Sequence, residues 1–358
     1  MKLCREAAVR FGICESSDSD KLRVSCTVGG INNWVYYVSL DDTSRTFPSQ
    51  KCCSSTTFVV RLYNNGANVS KVVYEHQILD KLGEMKKGFD TPRPLIEKST
   101  GNTFIALETG ILASIFHVIP GHSPNGKLKY IHEMGKAAGE LLNCLHEIYI
   151  EHKNQIINPT PPLYCDLWNV HHSVSRDLFH SYCKSSQLLE PYRIEMNHLL
   201  HEIACIEKSI VEWQTYDLPV SFVHGDLVTD NFLCLENGKV TGIIDFEFIG
   251  VDWIGMELAT CVSKFPEEDN PLDYFRDFFR GFNQVCGGLL GTKEIQILPS
   301  LIMLRVLSNC IYFVGRVISG ESGPEFLLDR IKGYYKRSLW LKAHGHLVVS
   351  CYHEESRE

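Results

Sequence analysis

The chain reads as an α+β protein in two parts, strand-rich up to about residue 120 and mainly helical beyond it. Three observations predict this. Runs of β-branched and aromatic residues at 34–38, 57–63 and 112–119 fall in the first third and are separated by turn-forming residues. From Tyr130 apolar residues recur three and four apart, with small residues on one face of 131–146. A single tight hairpin, spanning residues 220–245, interrupts the helical part. The length of 358 residues suits two domains. They are expected at 1–120 and 121–345, followed by a poorly ordered tail at 346–358.

The first part is justified element by element. Residues 1–13 lack the apolar core of a signal peptide and read as a short amphipathic helix. Thr27-Val-Gly-Gly-Ile-Asn-Asn then forms a turn into the strand at 34–38. Gly29 and Gly30 permit close backbone approach to a phosphate, and Asn32 and Asn33 add amide donors. Residues 41–56, rich in Ser, Thr, Pro and Cys, read as a hairpin loop. The strand at 57–63 carries Arg61, a permanent cation able to grip phosphate oxygens in a bidentate way. Val72, Ile78, Leu79 and Leu82 mark a helix that carries Glu75. Two strands within 102–119 end at Pro120-Gly121.

The hairpin carries the chemistry. An apolar run at 220–223 enters a loop at His224-Gly225-Asp226. A second strand follows from Asn231, Asn237-Gly238 turns the chain, and a returning strand delivers Asp245. Asn231 and Asp245 are thereby expected side by side, where an amide oxygen and a carboxylate suit Mg²⁺. Asp226 is expected to face the same cavity and to take a proton from an attacking hydroxyl, with ATP as the phosphoryl donor.

Composition removes other classes. A net charge of −8 without a basic run gives no support to nucleic-acid or anionic-membrane binding. No apolar stretch is read as long enough to span a bilayer. The 14 cysteines include no Cys-x-x-Cys, so they are expected as reduced thiols of a cytoplasmic protein, without a zinc site.

His224-Gly-Asp226 with Asn231 five residues on, followed by Ile243-Ile-Asp245-Phe, resembles the catalytic loop and metal-binding Asp of the aminoglycoside phosphotransferase and choline kinase superfamily. The resemblance implies a protein-kinase-like fold with two lobes, the first strand-rich and the second mainly helical. It implies Asp226 as catalytic base, and Asn231 and Asp245 as Mg²⁺ ligands. It also implies that the Gly29-Gly30 loop, Asn32, Asn33, Arg61 and Glu75 serve the nucleotide, and that Phe116 to Ile119, Phe116 and Val118 foremost, form an adenine-binding hinge. Two departures stand out. Arg61 replaces the Lys of many relatives, and Val228 stands where protein kinases place a Lys two residues after the catalytic Asp, which argues for small-molecule acceptors.

Within the superfamily, Asp230 directly before Asn231, the spacing from Asp245 to Asp252, and the 304–316 helix are similar to type II homoserine kinases. Arg61 and Asp245-Phe-Glu247 are closer to choline and ethanolamine kinases. The expected activity is ATP- and Mg²⁺-dependent phosphorylation of a small amine-bearing molecule with a hydroxyl group. Homoserine is the first guess, and choline, ethanolamine or another amino alcohol the next. Glu247, with Asp252 and Trp253 on the same loop, suits an ammonium group by charge and cation–π contact. Arg305 and Arg316 are candidates for a substrate carboxylate, with at least one expected at the surface. The competing reading is a non-catalytic kinase-like nucleotide-binding or scaffold protein.

Overall fold

The computed structural model describes residues 1–27, 32–40, 57–63, 69–124, 128–159, 164–266, 270–286 and 288–356. Gly29, Gly30 and the 41–56 loop lie outside the described residues. The chain forms two units, one of Met1–Met85 and Asp90–Pro120, the other of Lys86–Phe89 and Gly121–Glu358.

The first unit contains α1 (Lys2–Arg10), β1 (Leu22–Cys26), β2 (Trp34–Leu40), β3 (Thr57–Tyr63), α2 (Val69–Glu84), β4 (Ile105–Ala106) and β5 (Leu112–His117). The strands make one antiparallel sheet in the order β1-β2-β3-β5-β4. Alternation along β3 divides its side chains between two faces. Val60 and Leu62 join Val38, Ala113 and Ile115 in a core closed by Cys4, Ala7, Ala8 and Phe11. This is the use of the short amphipathic N-terminal helix. Arg61 and Tyr63 point the other way, toward α2, where they meet Glu75 and His76. β1 was not legible in the sequence, because Leu22 is its only buried residue and no alternation develops.

The second unit contains α3 (Ile131–His152), α4 (Arg176–Ser185), α5 (Arg193–Trp213), β6 (Val220–Val223), β7 (Phe232–Cys234), β8 (Val240–Ile243), β9 (Gly250–Trp253), α6 (Ile254–Val262), α7 (Pro271–Asn283), α8 (Thr292–Ser319) and α9 (Glu325–Glu355). β7 and β8 are the expected hairpin, turned at Gly238 with φ 95°. The small residues on α3 allow a close crossing with α7. A Cβ on Gly135 would lie 2.1 Å from the Phe278 carbonyl oxygen, and one on Gly281 1.9 Å from that of His132.

Three expectations are corrected. Residues 346–355 are not a loose tail but the last turns of α9, with Val348, Cys351 and Tyr352 buried. Asp252 and Trp253 lie on a strand rather than a loop, because β9 pairs antiparallel with β6. An apolar stretch of bilayer-spanning length does exist in α8. Most of it is buried against other helices of the unit, as a helix apolar on nearly all sides must be.

Candidate active site

The backbone of the loop after β6 is held by side chains of Tyr164, Glu257 and His224. Gly225 has φ 80°, and a Cβ there would lie 2.4 Å from the Phe248 carbonyl oxygen, so only glycine fits. Its carbonyl accepts from the Tyr164 hydroxyl at 2.5 Å, and its N–H donates to Glu257 Oε2 at 3.1 Å. The Asp226 N–H points to His224 Nδ1 at 3.3 Å, while His224 Nε2 lies 3.0 Å from the Ile244 carbonyl oxygen. An Nδ1 that accepts leaves Nε2 to carry the proton and to donate. The buried ring is therefore a neutral clamp between the Asp226 loop and the end of β8. Burial lowers its pKa, which favours that neutral state.

The same clamp sets the other two polar groups. Asn231 donates its Nδ2 to the Asp226 carbonyl at 2.7 Å, and its own carbonyl accepts from the Ile244 N–H at 2.9 Å. Asp245 follows at once, in the left-handed region with φ 70°. Thus the Asn231 side chain ties Asn231 to Asp226, and Asp245 is brought beside them by its neighbour Ile244, which bonds to Asn231 and to the His224 ring. With the Asn231 nitrogen engaged, its oxygen is the atom left for a cation.

A cation already stands beside Asp226. Arg305, on α8 and only 6 % exposed, donates Nη2 to Asp226 Oδ1 at 2.5 Å. Its Nη1 donates to Asn309, one turn along the helix, and its guanidinium lies 5.3 Å from the Tyr164 ring centroid. Glu257, 2 % exposed on α6, lies beneath the loop. Burial, reinforced by the charge on Asp226, pushes its carboxyl up to about 7 despite the backbone donors of Gly225 and His224.

The remaining predicted residues fall into three groups. Arg61 and Glu75 form a buried ion pair at 2.7 Å in the first unit, with the Arg61 guanidinium 5.7 Å from the Phe116 ring centroid. Asn33 is buried there, Asn32 is half-buried, and Val118 is partly exposed just past β5. Glu247 sits half-buried in the turn Phe246–Phe248. Asp252, by contrast, is 3 % exposed and spends its two oxygens on the N–H groups of Tyr164 and Trp253. That makes it a strap for the chain, and no acceptor role is assigned to it. Neither Arg305 nor Arg316 is at the surface. Arg316 donates to the Ser322 and Tyr312 hydroxyls and to the Glu321 carbonyl. Tyr164 and Asn309 were missed in the sequence, where nothing local sets them apart.

A second polar cluster joins His171, His172 and Glu321. It is poorly suited to a metal ion. The Ser173 N–H donates to His171 Nδ1, which places the ring proton on Nε2, the atom facing the carboxylate. Arg316 Nη1 also lies 3.5 Å from that carboxylate and supplies positive charge of its own.

Strand-rich first unit, helical second unit and a carboxylate–amide loop between β6 and β7, with Asp245 just past β8, together define a kinase-like phosphotransferase. Residues 28–285 match the model of the phosphotransferase enzyme family that includes aminoglycoside phosphotransferases, and the chain belongs to that family as a small-molecule kinase. Homoserine kinase from Polaromonas naphthalenivorans (strain CJ2) is 25% identical over 278 residues, 76% of this chain and 75% of that one. Homoserine kinase from Gluconobacter oxydans (strain 621H) is 43% identical, but over 49 residues, 14% of this chain and 15% of that one. Among solved structures, a microcompartment-associated aminopropanol kinase superposes with a TM-score of 0.68 at 14% identity, covering 97% of this chain and 98% of the other. The choline kinase of Cryptosporidium parvum Iowa II gives 0.60 at 13% identity, covering 98% of each chain. An amicoumacin kinase in complex with AMP-PNP and Ca²⁺ gives 0.62 at 12%, covering 94% of this chain and 93% of the other.

Proposed function

We propose that this kinase transfers the γ-phosphoryl group of ATP, in the presence of Mg²⁺, to the hydroxyl of a small amine-bearing molecule. Homoserine is the first candidate, and choline, ethanolamine or another amino alcohol the next. The observation that carries the reading is the gathering of Asp226, Asn231 and Asp245 around the His224 clamp. The amine-bearing acceptor is supported by the homoserine kinase matches and by the aminopropanol and choline kinases of the same fold.

The donor set fits Mg²⁺. Asn231 and Asp245 offer an amide oxygen and a carboxylate, the hard oxygen ligands this ion selects. When bound, the ion would neutralise phosphate charge. Asp226 would orient the acceptor hydroxyl and take its proton as the oxygen–phosphorus bond forms and the bond to ADP breaks. Arg61, steadied by Glu75, would hold the α/β-phosphates, while Asn32, Asn33 and the Gly29-Gly30 turn would supply donors to phosphate oxygens. Phe116 and Val118 would line the adenine. Catalysis would rest on positioning and charge stabilisation.

The test is a panel of ATP with homoserine, choline, ethanolamine, methylthioribose, hydroxylysine and an aminoglycoside. Turnover is expected with at least one amine-bearing alcohol. In Asp226→Asn, nucleotide binding should persist while kcat falls by about 10²–10⁴-fold. Full activity in that variant would reject the base assignment. Failure to bind Mg·ATP would remove ATP as donor, and binding without any transfer would favour the scaffold reading.

A further inference from the structure

We infer that Arg305 is a positioning residue for the base Asp226 rather than a receptor for an acceptor carboxylate. This inference rests on the kinase reading above. Both terminal nitrogens of the guanidinium are committed, Nη2 to Asp226 Oδ1 and Nη1 to Asn309. The third nitrogen, Nε, is buried without a hydrogen-bond partner among the described residues, and the residue as a whole is only 6 % exposed. A carboxylate arriving from solvent therefore finds no exposed fork to grip, only a charge already matched by Asp226.

The support around Arg305 is built for rigidity. It projects from the middle of the 28-residue α8, with Leu304 and Val306 buried on either side. The Tyr164 ring lies against it, and the Tyr164 hydroxyl is itself bonded to Gly225, the neighbour of Asp226. Arg305 thus reaches the base twice, once by ion pair and once through a ring that holds the loop. The position two residues after Asp226 is filled by the buried Val228, so the loop offers no cation of its own there. Arg305 supplies that charge from a distant helix. Its role is to hold one carboxylate oxygen and so turn the other to the acceptor hydroxyl.

The experiment compares wild type with Arg305→Met, Arg305→Lys and Asn309→Ala, using two productive acceptors, one with a carboxylate and one without. For Arg305→Met the expected result is a fall in kcat of about 10²-fold for both acceptors, with KM for acceptor and Mg·ATP changed by less than about threefold. Arg305→Lys should retain a point charge and lose less. Asn309→Ala, which leaves the buried charge paired, keeps the test available where an Arg305 variant misfolds. It should lower kcat by a smaller factor, again without acceptor preference. A rise in KM confined to the carboxylate-bearing acceptor would overturn the inference, and so would unchanged kcat in a folded Arg305→Met. Absence of turnover in wild type with every acceptor would instead reject the kinase reading on which it rests.

Discussion

Asp245 holds a backbone conformation that a side chain resists. At φ 70° its Cβ crowds the following carbonyl, a cost of roughly 1 kcal/mol that glycine does not carry. The strain falls on the residue proposed as a metal ligand, where such strain is commonly retained for function. Two variants separate the effects, since Asp245→Gly and Asp245→Ala both lose the carboxylate while only alanine keeps the penalty. Both should be inactive, and the glycine variant should be more stable by about 1 kcal/mol in urea unfolding. Equal midpoints would show that the backbone there is unstrained. At this scale the geometry of the candidate site was legible where its residues are local. Asp226, Asn231 and Asp245 lie within 20 residues, and one hairpin joins them. Arg305 was read as a candidate for a ligand carboxylate and pairs with a protein carboxylate instead. Its partner is 79 positions away, and a lone Arg on an apolar helix does not reveal which carboxylate it faces.

Elements were misread where one residue type has two uses. The tail was expected from residue 346, just past Gly345, and glycine commonly follows the end of a helix. In the structure a Cβ on Gly345 would lie 2.9 Å from that of Pro299, so this glycine permits α9 to approach α8 and the helix runs on to Glu355. The turns beyond it are anchored. Tyr352 packs edge-on to Phe279 at 5.4 Å, and Arg280 donates Nε and Nη2 to the two oxygens of Glu355 at 2.9 and 3.3 Å. Tyr352→Ala should therefore cost about 3 kcal/mol, the usual loss for emptying a buried aromatic site. An unchanged urea midpoint would mean that these turns contribute nothing to the core. β9 escaped notice for a different reason. Four residues including an Asp carry no strand signal until β6 is beside them.

Across the whole molecule, buried acids and buried histidines oppose one another in setting stability against pH. Burial raises Glu257 and Glu294 to about 7, so the unfolded chain ionises them near 4.5 while the folded chain does not. Their contribution is full below about 4.5 and is lost as pH rises through 7, on the order of 3 kcal/mol each at most. Burial lowers His76 to about 3 and lowers His224 in the same direction. The histidine contribution is present above 6.5 and is lost as pH falls. Between pH 5 and 6.5 the two sets act with opposite sign, and removing one should uncover the other. Glu257→Gln keeps an acceptor for the Gly225 N–H but has no proton to lose, and Glu294→Gln does the same for Gly255. Thermal unfolding of each variant, followed from pH 5 to 6.5, should rise with pH more steeply than wild type, whereas His76→Gln should rise less steeply. Curves parallel to wild type would show that these carboxyls ionise in the folded state as they do in water.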